Sequence, residues 1–313
     1  MNSILSKRKR AKYVRKSFGE HLFDVFNVLL FAALTFSFIY PFINILVVSL
    51  NDPYDAMRGG IYFWPRQLSF DNYKKVLADP LIYNAYAVTV ARTLVGTATH
   101  LFVTGIFAYG MSRKQLMFKK YYTIFCTIPM FFSGGLIPTY ILYRTLGITN
   151  SFWVYIIPSI VSVWNMLILR SFYQGIPDSL EEAARIDGCG DYRIFFQIIA
   201  PISVSSFAAI ALFKGVEHWN AWFDAYIYIN NDKLIPLQTI LMRIIDQSAA
   251  SQLANLQDNV ELATQQSRSS GENVTPESIR YATMIVSIGP IVLIYPFLQK
   301  YFVKGVLIGS VKE

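Results

Sequence analysis

The chain of 313 residues holds little of what catalysis or metal binding needs: two cysteines, three histidines and only 15% charged residues. Cys126 lies in an apolar run and Cys189 follows Gly188 in a polar stretch, so neither a disulfide framework nor a cysteine metal cluster is set up. His21, His100 and His218 are scattered, and no His/Asp/Glu or Ser/Lys cluster stands at a useful catalytic spacing. A Gly-x-x-x-x-Gly-Lys-Ser/Thr loop is also lacking, which removes the usual phosphate cradle. No catalytic residue and no metal ligand is assigned, and the chain reads as a non-enzyme.

What the sequence has instead is apolar surface: 54% hydrophobic and 16% aromatic residues. A soluble domain of this size carries about a quarter charged residues. A bilayer core about 30 Å thick needs roughly 20 helical residues at about 1.5 Å rise. Runs at 24–50, 83–111, 121–143, 152–170 and 281–301 meet this, and a sixth, 203–229, is apolar but carries Lys214, Glu217, His218, Asn220 and Asp224. Topology decides for the sixth. Seven basic residues (Lys7, Arg8, Lys9, Arg10, Lys12, Arg15, Lys16) precede the first run, and Arg113, Lys114, Lys119, Lys120, Arg170, Arg185, Arg193, Lys300, Lys304 and Lys312 fall on the same side if all six runs cross. Short loops rich in Lys and Arg stay in the cytoplasm, so the basic run is read as an orientation signal rather than a nucleic-acid patch. The expectation is an all-α membrane protein: a basic cytoplasmic tail at 1–23, a six-helix transmembrane domain at 24–303 and a cytoplasmic tail at 304–313. An outer insert is expected at 231–278, its part 247–273 rich in Gln, Ser, Asn and Ala.

Pro41, Pro129, Gly134–Gly135, Pro138, Pro158, Pro290 and Pro296 interrupt the runs. Each proline removes a backbone donor, which is tolerated at membrane depth where the helix packs on protein or lines a cavity.

The inner loop 176–201 is the most informative stretch. Pro177 precedes a helix whose first turn offers a capping box, Ser179 with Glu182, and Gly188 supplies the stop. The result is a helix of about nine residues, followed by a second, capped by Asp191, over 192–199 and ending at Pro201. A helix so short is marginal alone and must dock on something. Its acids alone fit a solvated surface equally well.

The run Glu182-Ala183-Ala184, three residues, Gly188, nine residues, Ile198, one residue, then Ala200-Pro201 resembles the EAA loop of permeases in binding-protein-dependent ABC importers, with Ala200 where that family has Leu. Trp219-Asn220-Ala221-Trp222-Phe223 and Gln299-Lys300-Tyr301-Phe302-Val303-Lys304-Gly305 resemble the carbohydrate-uptake branch, maltose-type permeases included, and most of all the oligosaccharide permeases that work with lipoprotein binding proteins. The resemblance implies a type I importer permease fold in a bacterial cell membrane, with both termini cytoplasmic. It implies a second, different permease subunit, a dimeric ATP-binding subunit that holds ATP and magnesium, and an extracellular solute-binding lipoprotein. The loop helix then couples transport to the ATPase, with Glu181, Glu182, Ala183, Ala184, Asp187 and Gly188 at the contact and Ile198 and Pro201 holding the loop to the bundle.

Lys214 and Glu217 are three apart and can pair on one helical face. Charges at membrane depth usually face a bundle interior or a cavity. Together with Arg92, Trp219, Asn220, Trp222 and Asp224 they form the candidate substrate pathway, aromatic faces with hydrogen-bonding groups suiting sugars. An importer of the same architecture for a non-sugar solute and an ion-coupled carrier stay open as alternatives.

Overall fold

The structure, a computed structural model, describes residues 17–255 and 274–310. The basic run 7–16 and most of the polar stretch 247–273 lie outside the described residues. The described part is helical, with a single isolated bridge between Asn51 and Leu68.

Helix α1 runs Phe18–Ser49, beginning ahead of the apolar run because Ser17 and Glu20 form a capping box, the Ser17 N–H donating to Glu20 at 2.7 Å. Nearly all of its side chains are exposed, and only Val47, Val48 and Ser49 are buried. Two short helices follow, α2 (Pro53–Met57) and α3 (Asp71–Ala78), then α4 (Pro80–Ser112), unbroken over 33 residues and the centre of the bundle. Asp79 caps it by accepting from the Leu81 N–H, and Pro80 fits a first turn whose amide has no helical partner.

Three of the other apolar runs are not single straight helices. Run 121–143 is α5 (Lys119–Phe131) and α6 (Leu136–Thr145), bent by 115° where Pro129 and Gly134–Gly135 interrupt it. Run 152–170 is two 3₁₀ turns, Phe152–Tyr155 and Ile157–Ser159, and α7 (Val163–Gln174), bent by 46°. The inner loop carries α8 (Asp178–Ile186) and α9 (Asp191–Ile202). A sharp bend of 80° leads from α9 into α10 (Val204–Asn220), which stops short of the predicted end of its run; α11 (Phe223–Tyr228) completes it. In the stretch read as an outer insert, residues Leu237–Asn255 form helix α12, and α13 covers Pro276–Ser310, reaching into the stretch expected as a tail. Among the described residues, α1 and α4 are long and apolar enough to cross a membrane, and the three bent pairs raise the number to as many as five.

Helix α4 packs on α7, α10 and α12, and α13 on α1, α3, α10 and α12. One apolar cluster ties the inner ends together: Ala108, Tyr109 and Met111 of α4 meet Met166, Leu169 and Tyr173 of α7, Ala184 of α8, and Ile194, Phe195 and Ile199 of α9. A second, at the other end, joins Val88 to Tyr155, Ile156, Ala225 and Tyr228.

Candidate functional site

The inner-loop helix α8 forms over nine residues, as expected, but not through the expected cap. Pro177 is the capping residue and makes no side-chain bond, so Ser179 lies inside the first turn instead of ahead of it. Asp178 and Glu181 in that turn supply negative charge at the positive end of the helix. At the other end Gly188 takes φ +76°, which a side chain would strain. That turn lets the Gly188 N–H donate to the Arg185 carbonyl at 3.0 Å and the Cys189 N–H to Ala184 at 2.9 Å, a Schellman closure.

The helix has two unlike faces. On one, Ala184 is buried in the inner cluster and Glu181 is paired with Arg113 of α4, whose guanidinium also lies 5.1 Å from the centre of the Tyr109 ring. Lys114 pairs with Asp178 at the rim. On the other, Glu182, Ala183 and Asp187 are exposed, with Leu180 42% and Ile186 87% exposed. Glu181 and Ala184 therefore face their own chain, while Glu182, Ala183, Asp187 and Gly188 sit on the free side. Asp191 does not cap α9, where Gly190 holds that position, and pairs with Arg185 instead. Nor does Pro201 end α9. Residues Phe195–Ile199 form a π turn, the Ala200 N–H donating to the Phe195 carbonyl. This wider turn precedes a residue whose ring and missing N–H a regular turn accepts poorly. Ile198 packs on the inner cluster, and Pro201 is exposed.

The remaining candidates gather at the helix breaks. Where α10 stops, the Ala221 carbonyl has lost its helical donor, and Arg92 of α4 replaces it at 3.1 Å. The same guanidinium grips Asp224 at 3.2 Å and 2.5 Å and lies 4.2 Å from the centre of the Tyr155 ring. Arg92 is 1% exposed. Trp219 is buried, its Nε1–H donating to the Ser287 carbonyl at 3.2 Å, and Thr239 donates to the Trp222 carbonyl at 3.0 Å. Lys214 and Glu217 pair as expected, at 2.7 Å, with unequal exposure: 4% for the lysine side chain, 63% for the glutamate. Asn220 is exposed as well. Arg92, Asp224 and Trp219 thus have their polar groups engaged within the chain, while Glu217 and Asn220 turn outward.

One group escaped the sequence reading. His100 Nδ1–H donates to the Ser159 carbonyl at 2.9 Å, which leaves Nε2 to accept from Asn165 at 2.9 Å, and Thr104 donates to the Ile160 carbonyl at 3.3 Å. These carbonyls are the ones freed by the break in the fourth run. His218 Nε2 lies 3.4 Å from the Ser159 hydroxyl, and it fits only because residue 96 is glycine: a Cβ there would stand 2.4 Å from it. Two of the histidines that look scattered in sequence therefore meet at one break. The readable signal is a stripe on α4, Arg92, Gly96, His100 and Thr104, each four residues after the last and so on one face. Among the described residues no group of three His, Cys, Asp or Glu side chains could hold a metal.

Comparison with known proteins agrees with this arrangement. Residues 102–308 match the family described as "Binding-protein-dependent transport system inner membrane component". The chain is 36% identical over 293 residues to the polygalacturonan/rhamnogalacturonan transport system permease protein YtcP of Bacillus subtilis, covering 93% of this chain and 98% of that one. Protein LplC of the same organism is 34% identical, with 93% and 95% covered. Among solved structures, a chain of a bacterial ABC transporter involved in the import of the acidic polysaccharide alginate superposes with a TM-score of 0.81 at 27% identity, over 92% of this chain and 99% of that one. The chain belongs to the family of inner-membrane components of binding-protein-dependent transport systems.

Proposed function

We propose that this chain is one permease subunit of an ATP-driven carbohydrate importer, forming half of the translocation pathway. The observation that carries the mechanism is the two-faced helix α8: one face locked to α4 and the inner cluster, the other presenting Glu182, Ala183 and Ile186 outward. A short helix held this way transmits a push. In the orientation that puts its basic loops inside, that free face meets a separate dimeric ATPase subunit, which holds ATP and magnesium. The lever then acts on α4 and α7 through the inner cluster, and on α10 through α9. Six crossings place both termini in the cytoplasm, with α13 as the last.

Carbohydrate is supported by relatives whose names concern polygalacturonan, rhamnogalacturonan and arabinooligosaccharides, and by the alginate importer. A second permease and a solute-binding lipoprotein complete the assembly. Arg92, Asp224 and Trp219 hold the break in run 203–229, so the pathway surface consists of Glu217, Asn220 and the exposed part of Trp222. Replacing Glu182 with Lys reverses charge on the free face without touching the buried one. Uptake of labelled oligosaccharide is expected to fall at least tenfold at unchanged membrane abundance, and co-purification of the ATPase to weaken. Normal uptake with normal co-purification would reject the assignment.

A further inference from the structure

The segment after α2 does not rise away from α1 into water but folds back along it. Asn44, inside the apolar run of α1, donates to the Ile61 carbonyl at 2.8 Å and to the Tyr62 carbonyl at 3.4 Å. The Phe63 ring centre lies 5.4 Å from that of Tyr40 and 6.4 Å from that of Phe36. At about 1.5 Å per residue, Asn44 is about 8 Å below Ser49 along α1, Tyr40 about 14 Å and Phe36 about 20 Å. A hydrocarbon core is only about 30 Å thick. Helix α1, 32 residues and so about 48 Å long, outruns that core, and the tip of this loop lies beside the span at the outer boundary of the acyl chains.

Its fold is fixed. Gly59 and Gly60 turn the chain with φ +68° and +71°, and Arg66 closes the loop from the other side, donating to the Asp55 carboxylate at 2.9 Å and to the Gly59 carbonyl at 2.6 Å. Yet the tip side chains do not enter the protein: Tyr62 is 62% exposed, Phe63 52% and Trp64 83%. They continue the exposed apolar face of α1, where Phe36 is 54% and Phe31 60% exposed.

We propose that residues 59–66 form a re-entrant aromatic wedge inserted into the leaflet on the Ser49 side, its ligand the phospholipid itself. Trp and Tyr rings suit the boundary between headgroup and chains, the indole and phenol groups reaching the ester region. Irregular backbone at membrane depth must find partners within the protein, and Asn44 supplies a donor for its carbonyls. That role also explains an asparagine within the apolar run of α1.

The test is a depth measurement on the full chain in lipid nanodiscs, with Cys126 and Cys189 replaced by serine and single cysteines placed by Trp64→Cys, by Phe31→Cys as a lipid control and by Lys233→Cys as a water control. A spin label at 64 is expected to collide with oxygen as at 31, and a water-soluble maleimide to react there at least tenfold more slowly than at 233. Reaction at the rate of 233 would overturn the proposal. So would a site reached by neither oxygen nor maleimide once the partner proteins are bound, which would mean a protein occupant. Tyr62→Cys gives the same readout should Trp64→Cys fail to insert, and quenching of Trp64 by brominated lipid provides a check with the native side chain in place.

Discussion

Helix α4 carries two arginine–carboxylate pairs about 31 Å apart along its axis, and they do different work. Arg92 is 1% exposed and serves three acceptors at once: two carboxylate oxygens of Asp224 and the carbonyl left by the break after α10. Arg113 has one carboxylate, Glu181, at the edge of the inner cluster, with the two side chains 18% and 13% exposed. The first pair repairs a discontinuity inside a membrane span. The second fastens a mobile-looking loop to a rigid rod. The number of acceptors decides which of the two a protein can let go: Asp224 is itself 28% exposed, but losing Arg92 also leaves the Ala221 carbonyl without a donor, whereas losing Arg113 leaves one carboxylate.

Breaking each pair in turn should separate the roles. The largest effect is expected for Arg92→Ala, which removes the partner of Asp224 and of the Ala221 carbonyl together and costs on the order of 2 kcal/mol. Membrane abundance and detergent melting temperature should both fall, and Arg92→Lys should recover little, since one ammonium cannot serve three acceptors in that geometry. Arg113→Ala should cost about 1 kcal/mol and leave abundance nearly normal. Its mark is expected in the ratio of solute transported to ATP hydrolysed by the assembled importer, restored when Arg113→Glu is combined with Glu181→Arg. Equal loss of abundance in both variants would erase the distinction drawn here.

The smallest effect concerns a third pair, Asp55 with Arg66, in the loop outside the bundle. The Asn51 side chain, donating at 2.8 Å, and then Arg66 hold the Asp55 carboxyl below its usual range. A carboxylate with a depressed folded pKa contributes stability above its unfolded value of about 3.9, and that stability is lost as pH falls through the folded pKa. Thiol labelling at Arg58→Cys should stay flat from about pH 7 to 5 and rise only below about pH 4. In an Asn51→Ala background the rise should begin at higher pH.

The inner loop was legible because its residues act locally: Pro177, the acids of the first turn and Gly188 specify where one short helix starts and stops. Ala184 shows the limit of that reading. Smallness announces close approach, and sequence does not say whether the neighbour is a partner or, as here, Tyr109 and Tyr173 of the same chain. Proline and glycine marked the break in run 121–143 but not its 115° bend, and run 203–229 breaks at Ala221–Trp222 with neither residue present. That break depends on Arg92, more than a hundred positions earlier, and no local pattern carries a contact of such range.

The π turn at Phe195–Ile199 holds one residue more than a regular ladder would, in the short helix that joins the lever to α10. Inserted as a bulge, that residue widens one turn and leaves the ladder on either side nearly in register, so deleting it would close the turn against the Pro201 ring. The surplus residue thus gives the proline room, which makes the length of this connector as much a requirement of the fold as the motif before it.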